Sequence, residues 1–522
     1  MNKKISVSLA SITLSLLTVH LNAQTDSLHH EYNRYLNTIY YKTITPALQS
    51  GIVSDISFAK IQSFSSLQLN YTGEYGDYHL VQEAGKISKY GFYAEGALPV
   101  KQVYLSGGFR FSQDDKKEIR FTSLLDPFRG TPYQLADSTR SNWKIQNYNM
   151  WAKLASELIK NRLSAGLGIT LDVARGAKMI DPRPRTNNSN ITLQPALTLL
   201  LGKHTIGLGG NFVRFRELVD LMLYNSAEPQ KIYVLKGIGQ YTYDIFSITE
   251  RERRYNGNGA GAMMSYGFTN NHVCLLAEAN YLNYSEEVSD IEYSKPRLRG
   301  RYYKDQYQLK VNAQYKKDRI LHILKLTYTE SDHSGREIIQ IFNSDPNVNN
   351  WQTDSEAPAR WKNKEKFICG SYDWMLINKN KEYIPAGIRL GINYHQVKET
   401  YQVMNTFRSY KQMEYELRPF YNWNFKHHHM ARFSLTAAIS QILNYKSAYK
   451  EREADNPTIQ NMLIMPDNKI INQNTQMYGA EMGYGYVFHS GSTLLLTGKY
   501  RYLFSENHFY RHYPELILSY HF

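Results

Sequence analysis

Scarcity frames this chain of 522 residues. It has only 2 Cys and 16 Pro. Two cysteines exclude a disulfide scaffold. Mean hydropathy is −0.51, and nowhere does an apolar run reach the roughly 18–20 residues of a membrane-crossing helix, so a helical membrane bundle is excluded. No G-x-S-x-G elbow, H-E-x-x-H pair, phosphate-binding loop or C-x-x-C pair occurs, so no local motif for hydrolysis, zinc, nucleotide or redox chemistry is present. What the chain has in abundance is tyrosine: 43 Tyr against 21 Phe. That aromatic load excludes disorder. A Tyr-rich all-β protein remains, either soluble or a membrane barrel, which hydropathy sums do not detect.

The N-terminus fixes the compartment. Lys3 and Lys4 precede a largely apolar stretch from Ile5 to Leu21, and Leu21-Asn22-Ala23 offers a small residue for cleavage before Gln24. This is the pattern of a secretory signal peptide over residues 1–23. Losing it lowers the formal charge of +14 by two. Cys274 and Cys369 lie in strand-like segments and read as unpaired small hydrophobes.

Beyond the leader one pattern recurs. Leu163, Ala165, Leu167, Ile169, Leu171 and Val173 alternate with Ser164, Gly166, Gly168, Thr170 and Asp172. A period of two sends the sets to opposite faces of a strand. Similar alternation runs through Val103–Phe111, Tyr303–Tyr315, Met413–Phe425 and Tyr478–Phe488. Such runs suit strands tilted across a bilayer, which need about 9–11 residues. Short links such as Gly202–Thr205 and Lys316–Arg319 alternate strictly with long polar ones: Asp114–Ser141, Glu217–Arg254, Glu330–Lys362 and Gln441–Asn474. Short periplasmic turns and long extracellular loops produce that rhythm.

The expected fold is all-β: a single transmembrane antiparallel β-barrel of about 18 strands, with 16 left open. Three parts follow: the leader over 1–23, an N-terminal periplasmic or lumen-inserted segment over 24–55, and the barrel over 56–522. The expected location is the bacterial outer membrane. At the C-terminus Leu516, Leu518, Tyr520 and Phe522 alternate to the last residue. This resembles the signal strand read by the barrel assembly machinery, which makes that machinery an expected partner.

Leu125-Asp126-Pro127-Phe128, Thr131-Pro132-Tyr133, Ala136-Asp137-Ser138 and Asp181-Pro182-Arg183-Pro184 resemble an uncharacterised family of Bacteroidetes outer-membrane barrels. The resemblance spans essentially the whole mature chain and implies location and fold, not chemistry. Thr45-Pro46-Ala47 partly resembles the Asn-Pro-Ala element of the hatch in long-chain fatty-acid transporters, with Thr45 in place of Asn. The resemblance implies a segment folded back into the lumen; a mobile periplasmic extension is the alternative. A plug of the TonB-dependent kind needs a whole domain ahead of the barrel, and that class is not expected.

Positive charge gathers near the long loops. Arg251, Arg253 and Arg254 end one, Lys295, Arg297, Arg299 and Arg301 end another, and Arg183 and Arg185 lie in a third. These cations are candidates for contact with lipopolysaccharide phosphates or for drawing an anionic solute to the mouth. Outer-membrane lipid and lipopolysaccharide are expected partners, an outer-membrane protein complex is a further one, and nucleic acid is not. His427, His428 and His429 read as a solvated turn, because adjacent side chains diverge. No catalytic residue, metal site or cofactor is expected. The first functional expectation is a channel or diffusion transporter for a small solute. A non-conducting accessory barrel docking a complex through its loops comes second, and a barrel hydrolase third.

Overall fold

A computed structural model describes residues 33–522 apart from 60–61, 226–227, 229, 247–249, 293, 379–381, 426–427 and 451–458. The leader, residues 24–32 with His29 and His30, and His427 lie outside the described residues.

Strands from Phe64–Gly76 to Tyr510–His521 form a closed antiparallel ring of 18. The last strand pairs with the first, setting Tyr520 opposite Leu67 and Leu518 opposite Leu69, so no edge is left within the ring. Phe522 extends this seam by exchanging two 3.1 Å backbone bonds with Ser65. Period-two alternation decides which face is which. Leu69, Leu167, Leu326, Leu435 and Leu496 stand exposed on the outside, while glycine, hydroxyl and amide side chains alternate inward. An apolar outer band on a ring whose backbone groups are paired internally is what lipid demands. The protein is a bacterial outer-membrane barrel.

Turns at one end are tight: Gly202 and Lys203, for example, join the strands Arg183–Leu201 and His204–Met222. In bacterial barrels this end faces the periplasm. At the other end the structure departs from the sequence reading. Strands reach far into the segments taken as loops, with Val103–Ile119 and Ile320–Asn343 running well past Asp114 and Glu330. Both faces of a strand turn polar above the membrane, so the hydrophobic alternation that marks it disappears. The long–short rhythm is also not strict. Glu292 pairs with Lys295, three positions on, at the outer end, and Ser505–Tyr510 is short as well. The barrel is lopsided: Ile320–Asn343 has 24 residues and Tyr510–His521 only 12.

The outward band carries a direct test. Leu435→Arg on the lipid face should cost about 2–4 kcal/mol and lower the folded fraction on heat-modifiability gels. The inward Thr436→Arg on the same strand should be tolerated much better.

Candidate functional site

Three layers stack along the bore. The lowest is built by residues 33–59. Asn33 caps the helix Arg34–Ile44 by accepting the Leu36 amide. Leu36 packs on Met430 and Leu495, and Tyr40 on Leu321, Ile323 and Met375. Lys42 reaches Glu95 at 2.5 Å. Thr45-Pro46-Ala47 forms the corner between this helix and the 3-10 turn Pro46–Gln49.

The tight contacts come just after that corner, in Ser50–Ile56. Val53 and Ser54 lie on Gly166 and Gly168, and Ile52 on Gly207 and Gly209. A Cβ at Gly166 would sit 2.7 Å from the Ser54 amide nitrogen, and one at Gly207 2.8 Å from Ile52 Cγ2. These inward glycines make a cradle for the segment. Asp55, buried among them, accepts from Thr198 at 2.7 Å, Ser50 at 2.7 Å and Ser265 at 2.9 Å. Ser50 also lies 2.6 Å from Glu278, which accepts the Gly51 amide at 2.8 Å. Burial raises the Asp55 pKa; the three hydroxyl donors pull it down and the Glu278 charge adds to the rise.

Above this layer the inward side chains open up. Along Lys295–Lys317, Tyr302 and Gln314 are buried while Lys304, Gln306, Gln308, Lys310 and Asn312 between them are half-exposed. Ile320–Asn343 repeats it: Ile323 and Ser331 are buried, Lys325, Thr327 and Thr329 half-exposed. So does Trp361–Leu376, where Glu365, Phe367, Cys369 and Ser371 face open space between Asn363 and Asp373. A belt of open inward positions between two buried levels outlines a chamber. Its lining mixes amides, hydroxyls, aromatic rings and charges of both signs.

The top layer is made of loops that pack on one another. Tyr133–Ala136, Gln230–Lys236 and Tyr241–Phe246 form a small antiparallel sheet. Val81, Phe121, Tyr233, Leu235, Leu463 and Ile464, drawn from four loops, give it a core. One side chain ties this lid down. Arg129 inserts between the rings of Phe215 and Tyr255 and bonds Glu217 at 3.1 Å and Glu286 at 2.6 Å. Lys178 adds a buried 2.5 Å bond to Asp137, and Tyr255 donates to the Tyr133 carbonyl at 2.9 Å. Gly300 and Gly335 leave room for Tyr133 and Pro132. Asp467 accepts the Val81 amide at 2.7 Å, joining two loops. Burial raises its pKa to about 7, against the pull of that amide and of Arg408.

The cations singled out in the sequence are brought together, largely on carboxylates rather than outward. Arg253 is fully buried and faces Asp290 directly across the strand pair, at 2.6 Å. Arg251 and Arg299 reach the same carboxylate at 3.1 and 2.9 Å. The register slips beside Arg299, a bulge that turns it onto Asp290. Arg297 joins Glu292 at 2.8 Å, Lys295 faces Glu292 across the pair, Arg301 reaches Glu287 and Glu356, and Arg254 bonds Glu252. Arg183 pairs with Asp181 at 2.7 Å. Leu516 and Leu518 stand exposed on the outer face of the last strand. Cys274 and Cys369 are both free. The His428 ring lies 4.6 Å from that of His489, tilted by 40°, at the inner end, and no metal-binding group of three ligands occurs among the described residues. Ser519 and His521 lie 3.1 Å apart, but both are buried at the inner end, far from the outer rim where a barrel hydrolase would need them.

The lid generates two expectations. Arg129→Ala strands Glu217 and Glu286 without their cation, so it should loosen the lid by about 3–5 kcal/mol, seen as faster proteolysis of loop 120–140 on intact cells. Arg129→Lys should recover only part, because a point charge does not bridge both carboxylates. Asp467 sets a pH dependence. Its raised pKa means the docked loop holds a proton that the undocked loop releases, so docking weakens as pH rises from about 4 to about 7 and levels off above. Protection factors of the amides in residues 78–85, which remove the base catalysis of exchange itself, should therefore be higher at pH 5 than at pH 8, and Asp467→Asn should flatten the difference.

No curated protein matches this chain. Among solved structures it is similar to the ferric preacinetobactin receptor BauA from Acinetobacter baumannii at 9% identity, covering 89% of this chain and 80% of that one with a TM-score of 0.39. The copper transporter OprC matches at 7% identity over 85% and 62% of the two chains, TM-score 0.40. A mutant of the monoaromatic hydrocarbon channel TodX matches at 12% identity over 91% and 93%, TM-score 0.31. A family model matches residues 46–522, and the chain belongs to that family, the family of unknown function DUF6850.

Proposed function

We propose that this barrel is a gated channel or diffusion transporter for a small solute, with residues 33–59 as its inner gate and the loop lid as its outer one. One observation carries the reading: the half-exposed belt of inward residues between two buried levels. A barrel that only docks a partner has no use for a polar chamber. The long loops also fold over the bore instead of splaying outward, and their core residues are spent on each other. No covalent chemistry is part of this reading. Arg183, Arg185, Arg254 and Arg301, the more exposed of these cations, are the ones left to meet lipopolysaccharide phosphates. Leu516, Leu518, Tyr520 and Phe522 serve as the assembly signal.

The accessory reading has one feature in its favour. The hairpin of Ile338–Asn343 and Asn350–Glu356 rises off the ring and exposes Ile339, Ile341 and Val348.

Single-channel conductance in planar bilayers separates the two. Intact protein should conduct rarely. Gly207→Val, which leaves Ile52 no room, should raise the open fraction when combined with Arg129→Ala, giving steady ohmic steps. Folded double variant that stays silent would sink the channel reading and leave the accessory one.

A further inference from the structure

Glu278, the carboxylate that holds the Ser50–Gly51 corner, also lines a cavity of about 210 Å³ at the chamber floor. The other polar walls are Gln194, Asn280, Gln308 and Lys310, with Ile52 and Met263 beside them. Among the described residues Lys310 makes no ion pair and the buried Asn280 Oδ1 has no hydrogen-bond partner. Gln308 bonds Thr329 through its nitrogen at 3.3 Å, so its carbonyl oxygen is not engaged there.

We propose that this cavity binds a neutral polyhydroxylated solute, one sugar ring at a time; the proposal deepens the channel reading and rests on it. One carboxylate and one ammonium leave the pocket without net charge, which gives an anion or a cation no preference. Three carboxamides supply donors and acceptors side by side, the pattern that hydroxyl groups match because each both donates and accepts. Ile52 and Met263 give an apolar surface for the C–H face of a ring. The same character continues up the wall, where Asn147, Asn149, Asn190 and Gln306 face inward. A solute here lies against Ile52 and the Glu278 anchor, beside the gate it must pass.

The test is calorimetric titration of the Arg129→Ala protein, in which the lid is loosened and the Ile52 wall is left intact, with cellobiose, maltotriose and mannobiose as probes, and citrate and dialanine as comparators. The neutral sugars should bind, and adding Asn280→Ala and Gln308→Ala should weaken each about tenfold per lost amide bond. Binding of citrate or dialanine but not of the sugars would overturn the solute class, and sugar binding that the two substitutions do not alter would overturn the site. No binding of any sugar would overturn the proposal. Conductance of the Gly207→Val, Arg129→Ala protein judges the channel reading separately.

Discussion

A ring of eighteen strands is wider than its own inward side chains can fill. That constraint governs everything else in this molecule. A narrow barrel becomes a packed core; this one would be an open hole unless other parts of the chain close it. Two sets of residues do so, and by different physics.

The inner closure works through smallness. Glycines at 166, 168, 207 and 209 let a backbone approach the wall, and one buried carboxylate, Asp55, collects three hydroxyls from both sides. Such a contact is neutral in shape and made of short polar bonds, each worth about 1 kcal/mol. The outer closure works through charge. Arg129 shared by Glu217 and Glu286 is an all-or-none tie, since removing the cation leaves two buried carboxylates unpaired. Asp290 with its three arginines stiffens the neighbouring wall in the same way.

Much of the fold was legible in the sequence. Lipid on one side and water on the other impose a strict period of two, so Leu163–Val173 and Tyr478–Phe488 announce their strands, and eighteen of them were countable. Above the membrane both faces are wet, and the upper half of Ile320–Asn343 reads as loop. The lid sheet was illegible for a related reason: Tyr133–Ala136 has four residues and pairs with a strand almost a hundred positions away. The motifs that carry the family resemblance fall in or beside this lid, Thr131-Pro132-Tyr133 on the wall glycines and Asp137 on Lys178. At the inner end Thr45-Pro46-Ala47, which carries the hatch resemblance, forms the corner between the helix and the 3-10 turn. The better signal was a lone Asp55 inside the run Ile52–Ile56, together with glycines spaced by two on strand faces that needed no turn. The rim arginines misled because their carboxylates sit on the next strand, and only register shows that Arg253 meets Asp290.

Inside the polar chamber, shut at both ends, Cys369 is a native reporter, free and half-exposed on the inward face. Its alkylation by a membrane-impermeant maleimide added to intact cells, in a Cys274→Ser background, tests that closure directly. Labelling should be slow in the otherwise unaltered protein and rise sharply with Arg129→Ala. Labelling of the unaltered barrel as fast as that of a freely exposed thiol would contradict it.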